Sequence, residues 1–129
     1  MAHYLDTSAL TKLVVSEAES SALAAWLGTD RDPVVCDLAR TELIRAVRRG
    51  APDRLVRARA VLESLTILAV TTSIFEQASR LDPPGLRSLD AIHLAAALDL
   101  GDDLESVVTY DDRLADAASL NGIVVTAPA

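Results

Sequence analysis

Short aliphatic runs alternate with helical segments from one end of this chain to the other. Strands are expected over residues 4–5, 34–36, 65–70, 107–109 and 123–125, and helices over 9–15, 19–27, 38–49, 53–64, 73–81, 89–100 and 112–120. Gly28 closes the second helix, and Gly50 with Pro52 closes the third. Asp37, Ser73 and Ser88 read as helix N-caps. Strand–helix alternation of this kind predicts an α/β fold, a parallel sheet with helices on both faces. No linker, low-complexity segment or repeat interrupts it, so the 129 residues are expected to form one domain, 1–129.

Composition narrows the function classes. Half the residues are hydrophobic but only 3% are aromatic, so the core is Leu, Val, Ile and Ala. That argues against aromatic platforms for single-stranded nucleic acid. A net charge of −7 argues against nonspecific duplex binding by global charge, while leaving room for a local basic face. The single cysteine, Cys36, excludes an internal disulfide and points to a cytosolic setting. It lies in an apolar stretch with no evident base, and reads as a small buried hydrophobe. No signal-peptide pattern opens the sequence, and no apolar run approaches the ~18 residues of a membrane span.

Four acids interrupt the apolar pattern at element edges: Asp6, Glu42, Asp90 and Asp111. In an open α/β sheet the functional crevice lies beyond the carboxyl ends of the strands. Asp6 and Asp111 both fall there, so these two are expected to meet. Each could equally cap a helix, and at the second site Asp112 competes for that role: one cap is needed, so the other carboxylate is free. Two carboxylates about 4 Å apart repel by roughly 4 kcal/mol at an effective dielectric near 20, so a convergent set needs a cation.

On a helical wheel Glu42 falls beside the core-facing stripe, where a carboxylate must be paired, hydrogen-bonded or metal-bound. Arg45 or Arg49 could pair with it. Asp90 opens a helix that is apolar almost all round; it either complements the helix dipole or points into a shared cleft. His93, one turn on, reads as an imidazole that hydrogen-bonds a carboxylate rather than as a ligand. Hard oxygen donors suggest Mg²⁺ or Mn²⁺, and hence hydrolytic phosphodiester chemistry. Seven of the twelve basic residues, all arginine, lie between 40 and 59. Arg40, Arg45, Arg48 and Arg49 could form a solvated face, a phosphate-binding face or a docking surface.

The four acidic blocks, in this order and 36, 48 and 21 residues apart, resemble those of the PIN-domain nucleases, and more closely the VapC-type toxins of type II toxin–antitoxin systems. The matching stretches are Tyr4-Leu5-Asp6-Thr7-Ser8-Ala9-Leu10, Thr41-Glu42-Leu43, Leu89-Asp90-Ala91-Ile92-His93-Leu94-Ala95 and Val108-Thr109-Tyr110-Asp111. The resemblance implies a PIN-like α/β/α sandwich with a central parallel sheet. It implies a Mg²⁺- or Mn²⁺-dependent endoribonuclease that cuts tRNA or rRNA and is silenced by a VapB-type antitoxin. It further implies a cytoplasmic homodimer that joins its antitoxin in a hetero-oligomer. Asp6 and Asp90 become the leading metal ligands, Glu42 and Asp111 complete the acidic site, and Ser8 and Thr109 support it. The alternative is a PIN-like binding module without catalysis, although all four acids are present. Two other acidic α/β folds fit poorly. An adhesion-type metal site wants Asp-x-Ser-x-Ser, where this chain has Leu10 at the last position, and a receiver domain wants a late lysine, where the only lysine is Lys12.

Overall fold

The computed structural model describes residues 1–129. Five parallel strands form one sheet: β1 (Ala2–Leu5), β2 (Asp32–Cys36), β3 (Thr66–Leu68), β4 (Leu104–Val108) and β5 (Val125–Thr126), in the order β3-β2-β1-β4-β5. Seven α-helices connect them: α1 (Thr7–Lys12), α2 (Ser20–Leu27), α3 (Leu38–Gly50), α4 (Leu55–Glu63), α5 (Thr72–Ala78), α6 (Ser88–Leu98) and α7 (Asp112–Leu120).

The period-2 alternation of a strand sends neighbouring side chains to opposite faces. Tyr4, Val34, Cys36 and Val107 pack with α5, α6 and α7 on one face. Leu5, Val35 and Val108 pack with α1 to α4 on the other. The central strands are therefore apolar on both faces, which is why they read as continuous aliphatic runs. On α6 the buried positions are mostly alanine, Ala91 and Ala95 to Ala97, so this helix lies close against the sheet. No helix is long and apolar enough to cross a membrane.

Boundaries differ from the sequence expectation where an edge or a cap decides them. The edge strands shorten to Thr66–Leu68 and Val125–Thr126, each pairing with one neighbour only. Thr71, not Ser73, caps α5, its hydroxyl accepting from the Ile74 amide at 3.3 Å. Ser88 is the first residue of α6 rather than its cap, and Asp37 makes no capping bond: its Oδ1 pairs with Arg40 and its Oδ2 accepts from the Val70 amide.

Candidate active site

The strand order sets the location of the site. From β1 the chain steps outward to β2 and β3, then returns to the far side of β1 for β4 and β5. The connections diverge between β1 and β4, leaving a crevice beyond their carboxyl ends. Leu5 is in register with Val108, so the residues that follow, Asp6 and Thr109, meet at the mouth of that crevice.

Asp6 is buried, 4% exposed, and both of its carboxylate oxygens are hydrogen-bonded, Oδ2 by a single donor. Oδ1 accepts from the Ser8 hydroxyl at 2.6 Å and the Ala9 amide at 3.0 Å, while Oδ2 accepts from the Thr109 hydroxyl at 2.5 Å. Asp6 thus caps α1 and faces the crevice at once. Burial pushes its pKa up, only partly countered by these three hydrogen bonds. Ser8 and Thr109 also tie down the β4 exit: Ser8 accepts from the Tyr110 amide at 3.0 Å, and Thr109 from the Asp111 amide at 3.1 Å. Thr109→Val keeps the branched shape but removes the bond to the Asp6 carboxylate and the bond from the Asp111 amide, and should lower unfolding free energy by about 2 kcal/mol in a urea titration.

Glu42 pairs with neither Arg45 nor Arg49. The buried stripe of α3, Ala39, Leu43 and Val47, turns Glu42 inward and leaves the arginines in solvent. Its Oε1 accepts from the Thr7 hydroxyl at 3.0 Å and from His93 Nε2 at 2.6 Å. His93 Nδ1 lies 2.7 Å from the Tyr4 hydroxyl and 4.0 Å from Cys36 Sγ. Burial opposes a charge on this ring, but its contacts with Cys36 and Glu42 outweigh that and push its pKa up to about 10. Both nitrogens then donate, Nε2 to Glu42 and Nδ1 to the Tyr4 oxygen. Burial pushes the Glu42 carboxyl upward, but the His93 hydrogen bond and charge, with help from Thr7, hold it below the ordinary value. Cys36 is the buried hydrophobe expected, yet it has an imidazole neighbour that the sequence did not disclose.

Asp90 and Asp111 are joined by Arg87. Its Nε donates to Asp90 Oδ2 at 3.1 Å and its Nη2 to Asp111 Oδ2 at 3.4 Å. The other oxygen of Asp111 caps α7, accepting from the amides of Arg113 and Leu114 at 2.9 and 3.1 Å. The cap left open between two aspartates falls to Asp111, whose second oxygen meets Arg87, and Asp112 is exposed. Arg87 and Thr7 were missed from sequence. The spacing Arg87-x-x-Asp90 was the available signal for the first; nothing local marked the second.

All four acids therefore stand at one end of the sheet, linked through Thr109, Arg87, His93 and Thr7. No three His, Cys, Asp or Glu side chains are grouped tightly enough to hold an ion as they stand. The donor set nevertheless fits a hard divalent cation. Mg²⁺ binds through one or two carboxylates while keeping several waters, and needs no all-protein cage. The hydrogen bonds to Glu42 all reach Oε1 and the ion pair of Asp90 reaches Oδ2, so one oxygen of each meets no donor from the chain. Charge agrees: four carboxylates set against His93 and Arg87 leave a formal −2.

Of the arginines, Arg40 pairs with Asp37 at 3.1 Å, and Arg45, Arg48 and Arg49 line a shallow surface depression on α3. None of these four is in an ion pair with the acids of the site.

Residues 3–120 match the PIN domain family. Ribonuclease VapC47 of Mycobacterium tuberculosis is 45% identical over 130 residues, covering 97% of this chain and 96% of that protein. Ribonuclease VapC46 of the same organism is 45% identical over 125 residues, with the same coverage. Among solved structures, the VapC20 toxin of Mycobacterium tuberculosis, which cleaves the sarcin-ricin loop, superposes with a TM-score of 0.75 at 21% identity, covering 95% of this chain and 97% of that one. VapBC2 from Rickettsia felis, bound to a DNA fragment of its promoter, superposes with a TM-score of 0.70 at 12% identity over the whole of both chains. These two likenesses concern the fold, which is PIN-like.

Proposed function

The chain belongs to the PIN-domain family, and within it to the VapC ribonucleases, and from that premise we propose that it is the toxic endoribonuclease of a type II toxin–antitoxin system, dependent on Mg²⁺ or Mn²⁺. Its substrate is structured RNA, tRNA or rRNA, and its silencing partner is a VapB-type antitoxin. Residues 1–129 form one catalytic domain, acting in the cytoplasm as a homodimer and in hetero-oligomers with the antitoxin. The observation that carries this reading is a buried carboxylate, Asp6, at the sheet's switch point, with Glu42, Asp90 and Asp111 disposed around the same crevice.

Asp6 and Asp90 would hold the metal, with Glu42 and Asp111 completing the acidic set. When bound, the ion lowers the pKa of water and neutralises charge gathering on the phosphate. The chain's own residues do the rest. Ser8, Thr109 and the Ala9 amide fix the Asp6 carboxylate in one orientation. His93 and Thr7 fix Glu42 by the same oxygen, leaving the other without a donor from the chain. One of the carboxylates takes the proton of the attacking water. Arg40, Arg45, Arg48 and Arg49, exposed along α3, contact phosphates of the bound RNA.

Antitoxin-free protein incubated with total RNA should cleave it in the presence of Mg²⁺ or Mn²⁺, and chelation by EDTA should stop the reaction. Persistent lack of cleavage with either metal would remove the catalytic reading. Induced expression should arrest growth, with relief on co-expression of an antitoxin encoded beside it; harmless expression would remove the toxin assignment.

A further inference from the structure

Arg87 is the one side chain bonded to the carboxylates of two of the four acids, and it meets each as a cation. We infer that Arg87 is a built-in competitor for the metal: its guanidinium and a divalent cation contend for the same two carboxylates, Asp90 and Asp111. The inference rests on the metal-dependent reading above and deepens it. Its grounds are geometric. The guanidinium fork places Nε on Asp90 Oδ2 and Nη2 on Asp111 Oδ2, spanning the two carboxylates. Arginine stays protonated at any accessible pH, so it cannot yield its place by losing a proton; it has to move.

The surroundings allow that movement. Arg87 is the N-cap residue of α6 but contributes no capping bond, and its side chain is 64% exposed. Arg87 itself lines a surface cleft with Leu86, Asp90, Arg113, Asp116 and Leu120, which gives the guanidinium room to swing aside. Ion pairs this exposed hold weakly, so the competition is mild and reversible. The loose spacing of the acids agrees with it, since a cation already balances two of them.

Apparent metal affinity falls by the fraction of molecules whose site is free to bind. Mn²⁺ binding, followed by calorimetry on the full chain without RNA at fixed ionic strength, reads this fraction without reference to catalysis. Arg87→Gln should bind Mn²⁺ roughly three- to tenfold more tightly than the wild type, the range expected when weak exposed ion pairs are removed. Arg87→Lys, which keeps the charge, should stay nearer the wild type. A structural clamp would behave differently: Arg87→Gln would then bind Mn²⁺ equally or more weakly, and that outcome overturns the inference. Arg87→Ala is the second variant should Arg87→Gln prove poorly folded by circular dichroism. If the wild type binds no Mn²⁺ at all, the metal reading falls and this inference with it; if wild type and both neutral variants bind alike, only this inference falls.

Discussion

Asp6→Asn should reduce RNA cleavage by more than ~100-fold, beyond the 10- to 100-fold typical of residues one layer removed from a metal. It should do so without weakening the fold. Asn is as good an N-cap as Asp, so the Ala9 and Ser8 bonds to Oδ1 survive, and the amide Nδ2 replaces the bond to Thr109 by donating to its hydroxyl oxygen. Burial also holds the Asp6 pKa up, so its charge is unfavourable in the folded state. A group whose folded pKa is raised in this way destabilises the fold where it is ionised. Metal-free Asp6→Asn should therefore unfold at the same urea concentration as wild type or a higher one. A lower midpoint accompanying the lost cleavage would mean that Asp6 serves chiefly as a cap.

The second large effect is on stability. His93→Ala removes the shared partner of Glu42 and Tyr4, and leaves a hydroxyl in a fully buried tyrosine without it. Breaking a buried charge pair costs about 3–5 kcal/mol, and the low end applies because half-buried Glu42 can rehydrate. A loss of about 3 kcal/mol corresponds to a fall in Tm of about 10 °C for a domain of this size. The pH dependence identifies the cause. His93 has its pKa pushed from 6.5 to about 10, so its contribution is complete below pH 6.5 and is lost as pH rises through about 10. Glu42 is held below 4.5, so its contribution is present above that pH and is lost as pH falls. Urea midpoints of the wild type should fall at both ends, and His93→Ala should flatten both falls. An unchanged alkaline limb would assign the loss to packing alone.

The legible part of this chain was its topology and the polar residues that topology exposes. Alternating elements implied the parallel sheet, and the sheet placed Asp6 and Asp111 at strand ends. The wheel showed that Glu42 needed a partner but could not show which. Arg45 and Arg49 were near in sequence, whereas His93 is 51 residues away and is brought in by α6 packing on the sheet. His93 finds a carboxylate partner for the same reason: a helix as apolar as α6 leaves an imidazole no solvent to face. Caps were less legible. Thr71, Ser73 and Ser88 are locally equivalent, and tertiary packing decides where each helix begins. Arg87 was overlooked because its role depends on Asp111, which only the β4–α7 turn brings within reach.

The most direct test of the acidic crevice as the catalytic centre is crystallographic. Crystals of the antitoxin-free protein soaked in Mn²⁺ should show an anomalous peak at the carboxyl ends of β1 and β4, bonded to Asp6 and Asp90, with Glu42 or Asp111 adjoining directly or through water. A peak elsewhere, or none in the crevice for protein that cleaves RNA with Mn²⁺ in solution, would contradict the account.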